Sequence, residues 1–224
     1  MQITKLKYQT TIFGGFNYPP TPETMLRILP RVGPLGYMPQ VQNVTEGVTG
    51  EIGPRVTLIK DSSQVFLHNS RIDVLTWLPE MELEEFISST VNLLTLLEGG
   101  LLFSSRVALV TESMLEELGE HEIENYRRIL VPRSDESTLE WTSRWVERKT
   151  VGGETYHISF EALRAAGMIM TTNGVSRTLT GIKVQHDVST SPSNASPRFT
   201  QDNMVDSLIE ISKILTQQNA SILQ

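Results

Sequence analysis

Cysteine is absent from all 224 residues, which excludes a disulfide framework, a thiolate nucleophile, and zinc or iron–sulfur sites built on thiolates. Long apolar runs are absent too. The most apolar stretch, Val91 to Phe103, is interrupted by Asn92, Thr95, Glu98 and two glycines, and falls short of the ~18 residues that a membrane span needs. Met1 to Thr11 holds Lys5 and Lys7 but no apolar run of signal-peptide length, so the reading is a cytoplasmic protein with no membrane contact. Positive charge is in deficit, with 19 Lys+Arg against 26 Asp+Glu, for a net charge of −7. Non-specific nucleic-acid affinity comes from cationic side chains displacing counterions, so direct nucleic-acid binding is not expected. Neither Gly-x-x-x-x-Gly-Lys nor a helix-opening Gly-x-Gly-x-x-Gly occurs, and there is no Gly-x-Ser-x-Gly elbow. No cofactor is therefore expected.

What is there reads as a folded chain. A hydrophobic content of 39% with 20% charged residues excludes a disordered tail. A chain this long buries about 70% of its unfolded surface and needs no staple. Ile3 to Phe13 predicts a strand. Thr21-Pro22-Glu23 predicts a capped helix start with Met25, Leu26 and Leu29 as its apolar face. Three strands follow, over Arg55 to Lys60, Gln64 to His68 and Arg71 to Trp77, the first two joined at Asp61-Ser62-Ser63. Glu80, Glu82, Glu84 and Glu85 open a helix whose apolar residues Leu83, Phe86, Ile87, Leu94 and Leu97 recur at helical spacing.

The order then repeats. Leu102 to Val110 predicts a strand, and Met114 to Leu130 an irregular helix broken near Gly119. Strands follow over Leu139 to Lys149, around Tyr156, Ile158 and Phe160, and from Ser176 to Val188, with turns at Gly152-Gly153 and Asn173-Gly174. Thr200 is placed to cap a last helix, Phe199 to staple against Met204, and Met204, Leu208, Ile211 and Leu215 to form its buried stripe. Each half reads strand, helix, three strands, helix. The expectation is an α+β fold with antiparallel sheet and helices on one side, its halves spanning 1–99 and 100–224 and forming one compact unit.

Three segments carry a family likeness. They are Pro54 to Trp77 (PRVTLIKDSSQVFLHNSRIDVLTW) with the acidic helix after it, Ser105 to Val110 (SRVALV), and Gly181 to Thr190 (GIKVQHDVST) followed by a polar loop and a terminal helix. In this order they resemble a sporadically distributed, uncharacterised bacterial family of two-half α+β proteins. The family's hydrophobic–Asp–hydrophobic–Asp strand is here Lys183-Val184-Gln185-His186-Asp187, where only Asp187 fits, and the terminal helix lacks the family's early histidine. The family has no established catalytic residues. Its scattered distribution resembles that of phage-defence and toxin–antitoxin cargo, which implies a protein whose work is to bind another protein.

Candidate chemistry is thin. His68, His121, His157 and His186 show no metal-ligand spacing, although His157 and His186 fall in neighbouring strands and can approach each other. Glu147-Arg148-Lys149 reads Glu-x-Lys with Asp135 upstream, a pattern for a Mg²⁺-dependent nuclease. On one extended strand, however, Asp135 would lie about 40 Å from Glu147. Trp141 and Trp145 share a strand face with Arg144 and Arg148 on the other, and tryptophan and arginine are the usual anchors of interfaces. Glu112, Glu116, Glu117, Glu120, Glu122 and Glu124 form an anionic stretch able to dock a basic partner. The leading expectation is a non-enzymatic protein-binding subunit of the antitoxin, immunity or phage-defence kind, with a homo-oligomer left open. Its candidate contact residues are Arg71, Trp77, Trp141, Arg144, Trp145 and Arg148. The alternatives are a small-ligand sensor using Arg71, Trp77 or Trp145 between sheet and helices, and the nuclease.

Overall fold

The computed structural model of the chain describes residues 1–45, 52–77, 80–98, 103–132, 140–170 and 176–222. The expected turn at Asn173-Gly174 and the expected junction at Gly99-Gly100 lie outside them. Strand β1 (Gln2–Phe13) is followed by helix α1 (Pro22–Val32), then by strands β2 (Met38–Thr45), β3 (Ile52–Lys60), β4 (Ser63–Leu67) and β5 (Arg71–Trp77), and helix α2 (Leu83–Leu97). After the short β6 (Phe103–Ser104) come β7 (Arg106–Glu116), helix α3 (Glu120–Leu130), and strands β8 (Thr142–Val151), β9 (Glu154–Met170) and β10 (Ser176–Thr190). The short β11 (Phe199–Thr200) and the long helix α4 (Gln201–Ile222) close the order.

All the long strands join one nine-stranded antiparallel sheet in the order β2-β3-β4-β5-β1-β7-β10-β9-β8. The α+β expectation with helices on one side is what the chain adopts, and one sheet serves both halves. In each half the last strand returns to pair with the first, β5 on β1 and β10 on β7, and β1 then pairs with β7 at the centre. A register shift between Lys5 and Lys7 marks a bulge, which turns Lys5 toward the start of α2 and Lys7 to the other face.

Strand alternation sorts the faces. Tyr8 and Ile12 of β1, Ile72 and Val74 of β5, Val107 and Leu109 of β7, and Ile158 and Val188 of the β9–β10 hairpin all enter the main core. From above, α1 adds Ile28 and Val32, α2 adds Phe86, Ile87 and Leu94, and α4 adds Met204, Leu208, Ile211 and Leu215. A second cluster on the same sheet face joins Leu115, Trp141, Phe160, Ile182 and Val184, and Tyr126 and Leu130 of α3 pack on it. Four helices therefore cover one face, and no described helix covers the other.

Several expectations need correction. The apolar face of α1 is Thr24, Ile28 and Val32, one row at i, i+4, i+8; Leu26 is 70% exposed. Docking against the core selects that row over the more apolar-looking one. Arg31 on this helix donates to the orphan carbonyl of Leu97 at the end of α2 (2.7 Å). The first half has a further strand, β2, which the sequence hides. Its residues MPQVQNVT are polar, and Pro39 is tolerated because the strand lies at the sheet edge. Met114 to Glu116 continue β7 instead of starting a helix, since Met114 and Leu115 pair with Thr4 and Ile3 on one side and with Lys183 and Ile182 on the other. Tertiary pairing overrides local helix preference there. Glu117, at φ +57°, then turns the chain out of the sheet. At the start of α4 the cap runs in reverse, with the Asn203 Oδ1 accepting from the Thr200 N–H (2.7 Å).

The stripe of α4 is as expected, with Leu208 and Ile211 wholly buried. Leu208→Ala and Ile211→Ala should each lower the unfolding free energy by ~2–5 kcal/mol, read by urea denaturation. Midpoints equal to the parent's would show that α4 is not docked.

Candidate functional site

The uncovered face is built from side chains that alternate away from the core. At its centre the Glu112 carboxylate of β7 lies between Lys7 of β1 (2.5 Å) and Lys183 of β10 (2.9 Å). One strand pair away, the buried Asp73 accepts from the Thr11 hydroxyl (2.6 Å) and from Arg71 Nε (2.9 Å), with His68 Nε2 at 3.5 Å. Arg106 lies over the Phe13 ring (4.5 Å) and donates to the Ser189 hydroxyl (2.9 Å). Burial pushes Asp187 above the ordinary aspartate range, and the Arg106, Arg144 and Lys7 charges only partly pull it back. Lys7, Glu112 and Lys183 form a cross-strand ladder over β1, β7 and β10, whereas Arg71 and Asp73 pair along β5.

The acid-rich stretch of β7 and α3 is largely spent inside the molecule. Glu112 has its two lysines, Glu116 takes Arg177 (2.9 Å), and Glu120 takes Arg164 (3.0 Å). Glu122 accepts from the Gly119 N–H (2.8 Å) at the start of α3. Glu124 is bound by Arg127 and Arg128, which hold its carboxyl down to about 2. The anionic docking patch expected from the sequence thus loses most of its free charge. In α2 the acidic start keeps Glu84 and Glu85 exposed, while Glu82 pairs with Lys5 (2.9 Å).

The expected contact residues do not converge. Arg71 sits on the uncovered face, held by Asp73. Arg144 and Arg148, opposite Glu161 and His157, share that face but lie five strands away on β8, about 24 Å by strand spacing. Trp145 turns the other way and stacks on Phe160 at a centroid distance of 3.9 Å, half-buried. Trp141 is buried in the cluster under α3. Trp77 lies at the far side, beside a cavity of about 930 Å³ between α2 and the ends of β3, β4 and β5. Of the residues expected to serve a ligand between sheet and helices, only Trp77 lines that cavity; Arg71 and Trp145 do not. Its lining was hidden in the sequence because Lys60, Val74 and Thr90 come from three separated elements.

Asp135 lies outside the described residues. Glu147 and Lys149 are exposed on β8, and among the described residues no three His, Asp or Glu side chains gather to hold a metal. His157 and His186 point to opposite faces, because His186 pairs in register with Phe160 and His157 with Ser189. The sheet itself separates them.

No family model matches the chain, and no curated protein matches it. The chemistry of the site must speak for itself.

His186 is 2% exposed, edge-on to Phe160 at 4.9 Å, and its Nε2 has no hydrogen-bond partner among the described residues. Burial lowers its pKa from 6.5 to about 4, so the folded protein holds it neutral. The unfolded chain binds this proton more readily, and its contribution to stability is complete above pH 6.5 and shrinks as pH falls toward about 4. The loss is on the order of 3 kcal/mol. His186→Leu should flatten the decline in unfolding free energy between pH 6.5 and 4.5. An unchanged slope would place the acid sensitivity elsewhere. Glu112 acts lower on the scale. Burial raises its pKa, but the hydrogen bonds and charges of Lys7 and Lys183 outweigh burial and hold it below 4.5, so its contribution fades only at pH values under 4.5.

Proposed function

We propose that the chain is a protein-binding subunit that takes its partner along the β8 edge and the uncovered face beside it. One observation carries this reading. Among the described residues β8 ends the sheet with no strand on its outer side, and Arg144 and the residues from Val146 to Thr150 are exposed. An open edge of this length is a template for an added strand, and proteins that keep such an edge monomeric guard it with charge. Here Arg144, Arg148 and Lys149 stand against the single carboxylate of Glu147. In the register that sets Arg144 opposite Arg148, a second copy of β8 would place cation against cation. An extended segment carrying carboxylates would pair with the backbone and be attracted to the side chains.

This reverses the polarity suggested by composition. The chain is acidic overall, yet its carboxylates on β7 and α3 are paired internally, and the open edge is basic. Trp145 supplies the apolar anchor, with one ring face on Phe160 and about a third of its surface exposed. In the setting implied by the family likeness, the partner is a toxin or a defence effector.

The test is co-purification from the native host with tagged wild type and with an Arg148→Glu/Lys149→Glu variant. Both side chains are solvent-exposed, so the variant should keep its melting temperature within about 1–2 °C. The expected result is a stoichiometric partner lost at high salt and reduced at least about tenfold in the variant. A chain that emerges alone, or a partner retained equally by the variant, would contradict the reading.

A further inference from the structure

We propose that the chain forms a two-fold dimer with a second copy of itself through the β2 edge, with β2 pairing antiparallel to β2 of the other copy and the pair centred on Val41. The inference is independent of the partner reading, since β2 and β8 lie at opposite ends of the sheet.

Two prolines fix which backbone groups of β2 point outward. In an antiparallel pair, residues alternate between pairs that exchange both N–H···O=C bonds and pairs that exchange neither. Pro39 is opposite Leu58, and Pro54 is opposite Asn43. Neither proline has an N–H to give, and both pairs fall on the same alternation. The bonded pairs are therefore Gln40 with Thr57 and Gln42 with Arg55. It follows that the N–H and C=O of Val41 and Asn43, and the C=O of Pro39, point away from β3. Among the described residues no strand meets them.

That outward row fits a second copy. β2 (MPQVQNVT) has no charged residue, so a two-fold pair sets no like charges together. Reversed about Val41, the strand meets itself type for type. Val41 meets Val41, Gln40 meets Gln42, and Met38 meets Val44. The two Val41 residues exchange both backbone bonds, and each Asn43 N–H donates to the Pro39 carbonyl of the other copy. Gln40 and Gln42 come within reach for amide hydrogen bonds on the opposite face. Pro39 removes only one donor at each end of this ladder. The surroundings of the edge are apolar, with Met38 62% and Val41 41% exposed. Helix α1 contacts both α2 and β2. On one flank of α1, Arg27 and Arg31 bond the Asn17 and Leu97 carbonyls. Leu26 and Leu29, the apolar row that the core leaves out, lie on the other flank, toward β2, and widen the apolar surface beside the edge.

Sedimentation velocity over a concentration series tests the assembly, and the mass of two chains is the expected result. Val41→Pro removes an outward N–H and no bond within the folded chain. It should keep the parent's far-ultraviolet circular dichroism and raise the dimer dissociation constant at least about tenfold. Val41→Lys, at an exposed position, sets two ammonium groups together at the two-fold axis and should do the same. Arg148→Glu/Lys149→Glu should leave the dimer intact, which separates failure here from failure of the partner reading. Cross-linking reads the register, because the chain has no cysteine of its own. Positions 40 and 42 of the two copies form a closely spaced, non-hydrogen-bonded pair. Gln40→Cys and Gln42→Cys chains, mixed and oxidised, should therefore form a covalent dimer at least about fivefold faster than either alone. A single-chain mass at every concentration, a dimer untouched by both Val41 variants, a dimer broken by the β8 variant, or cross-linking no faster in the mixture would overturn the proposal.

Discussion

The antiparallel pairing of β1 with β7 is the constraint on which the rest of the molecule depends. Each half ends by laying its last strand against its first, which leaves the other edge of that first strand open. Joining the two open edges removes both at once and produces one sheet from two incomplete ones. The cores fuse as well, so that Ile12 and Ile72 of one half share a cluster with Val107, Ile158 and Leu208 of the other. Gly181 shows how closely the neighbouring strands are held. A Cβ at that position would meet the Leu115 carbonyl oxygen at 1.9 Å, so the backbones of β10 and β7 approach there in a way only glycine allows.

Closing the centre leaves the liabilities at the periphery. Among the described residues the two ends of the sheet, β2 and β8, have no further strand beside them, and they are managed differently. β2 is polar and carries Pro39, a residue that cannot donate to a ladder. β8 carries cations instead. Charge is sorted across the molecule in the same sense. Glu112, Glu116, Glu120 and Glu124 of β7 and α3 are each matched by lysine or arginine, whereas β8 itself carries three cations and one carboxylate. Net charge alone therefore misdescribes what a partner would meet.

Much of the fold was legible in the sequence, for physical reasons that can be named. Strict alternation at Tyr156, Ile158 and Phe160, the glycine pair at 152 and 153 with positive φ, and the α4 stripe each came from a single local signal. What local signals missed depended on partners far along the chain. β2 is too polar to announce itself, Met114-Leu115-Glu116 favours helix until β1 and β10 pair with it, and α1 buries the row that its neighbours select. The site was less legible still. The tryptophans and arginines were visible as residue types, but register alone separates Trp145 from Arg144 by a sheet face and Arg71 from both by five strands. The acidic stretch looked like a free anionic surface because its arginines and lysines come from distant positions, such as Arg164 and Arg177. The cavity needed residues from β3, β5 and α2 that no spacing rule connects.

The central claim is that the basic β8 edge, and not the acidic helices, meets the partner. Amide hydrogen exchange of the purified complex against the free chain tests it most directly. The account predicts that amides across Thr142 to Val151 slow on complex formation while those at the start of α2, Leu83 to Glu85, keep their free rates. Protection at the start of α2 with β8 unchanged would contradict it.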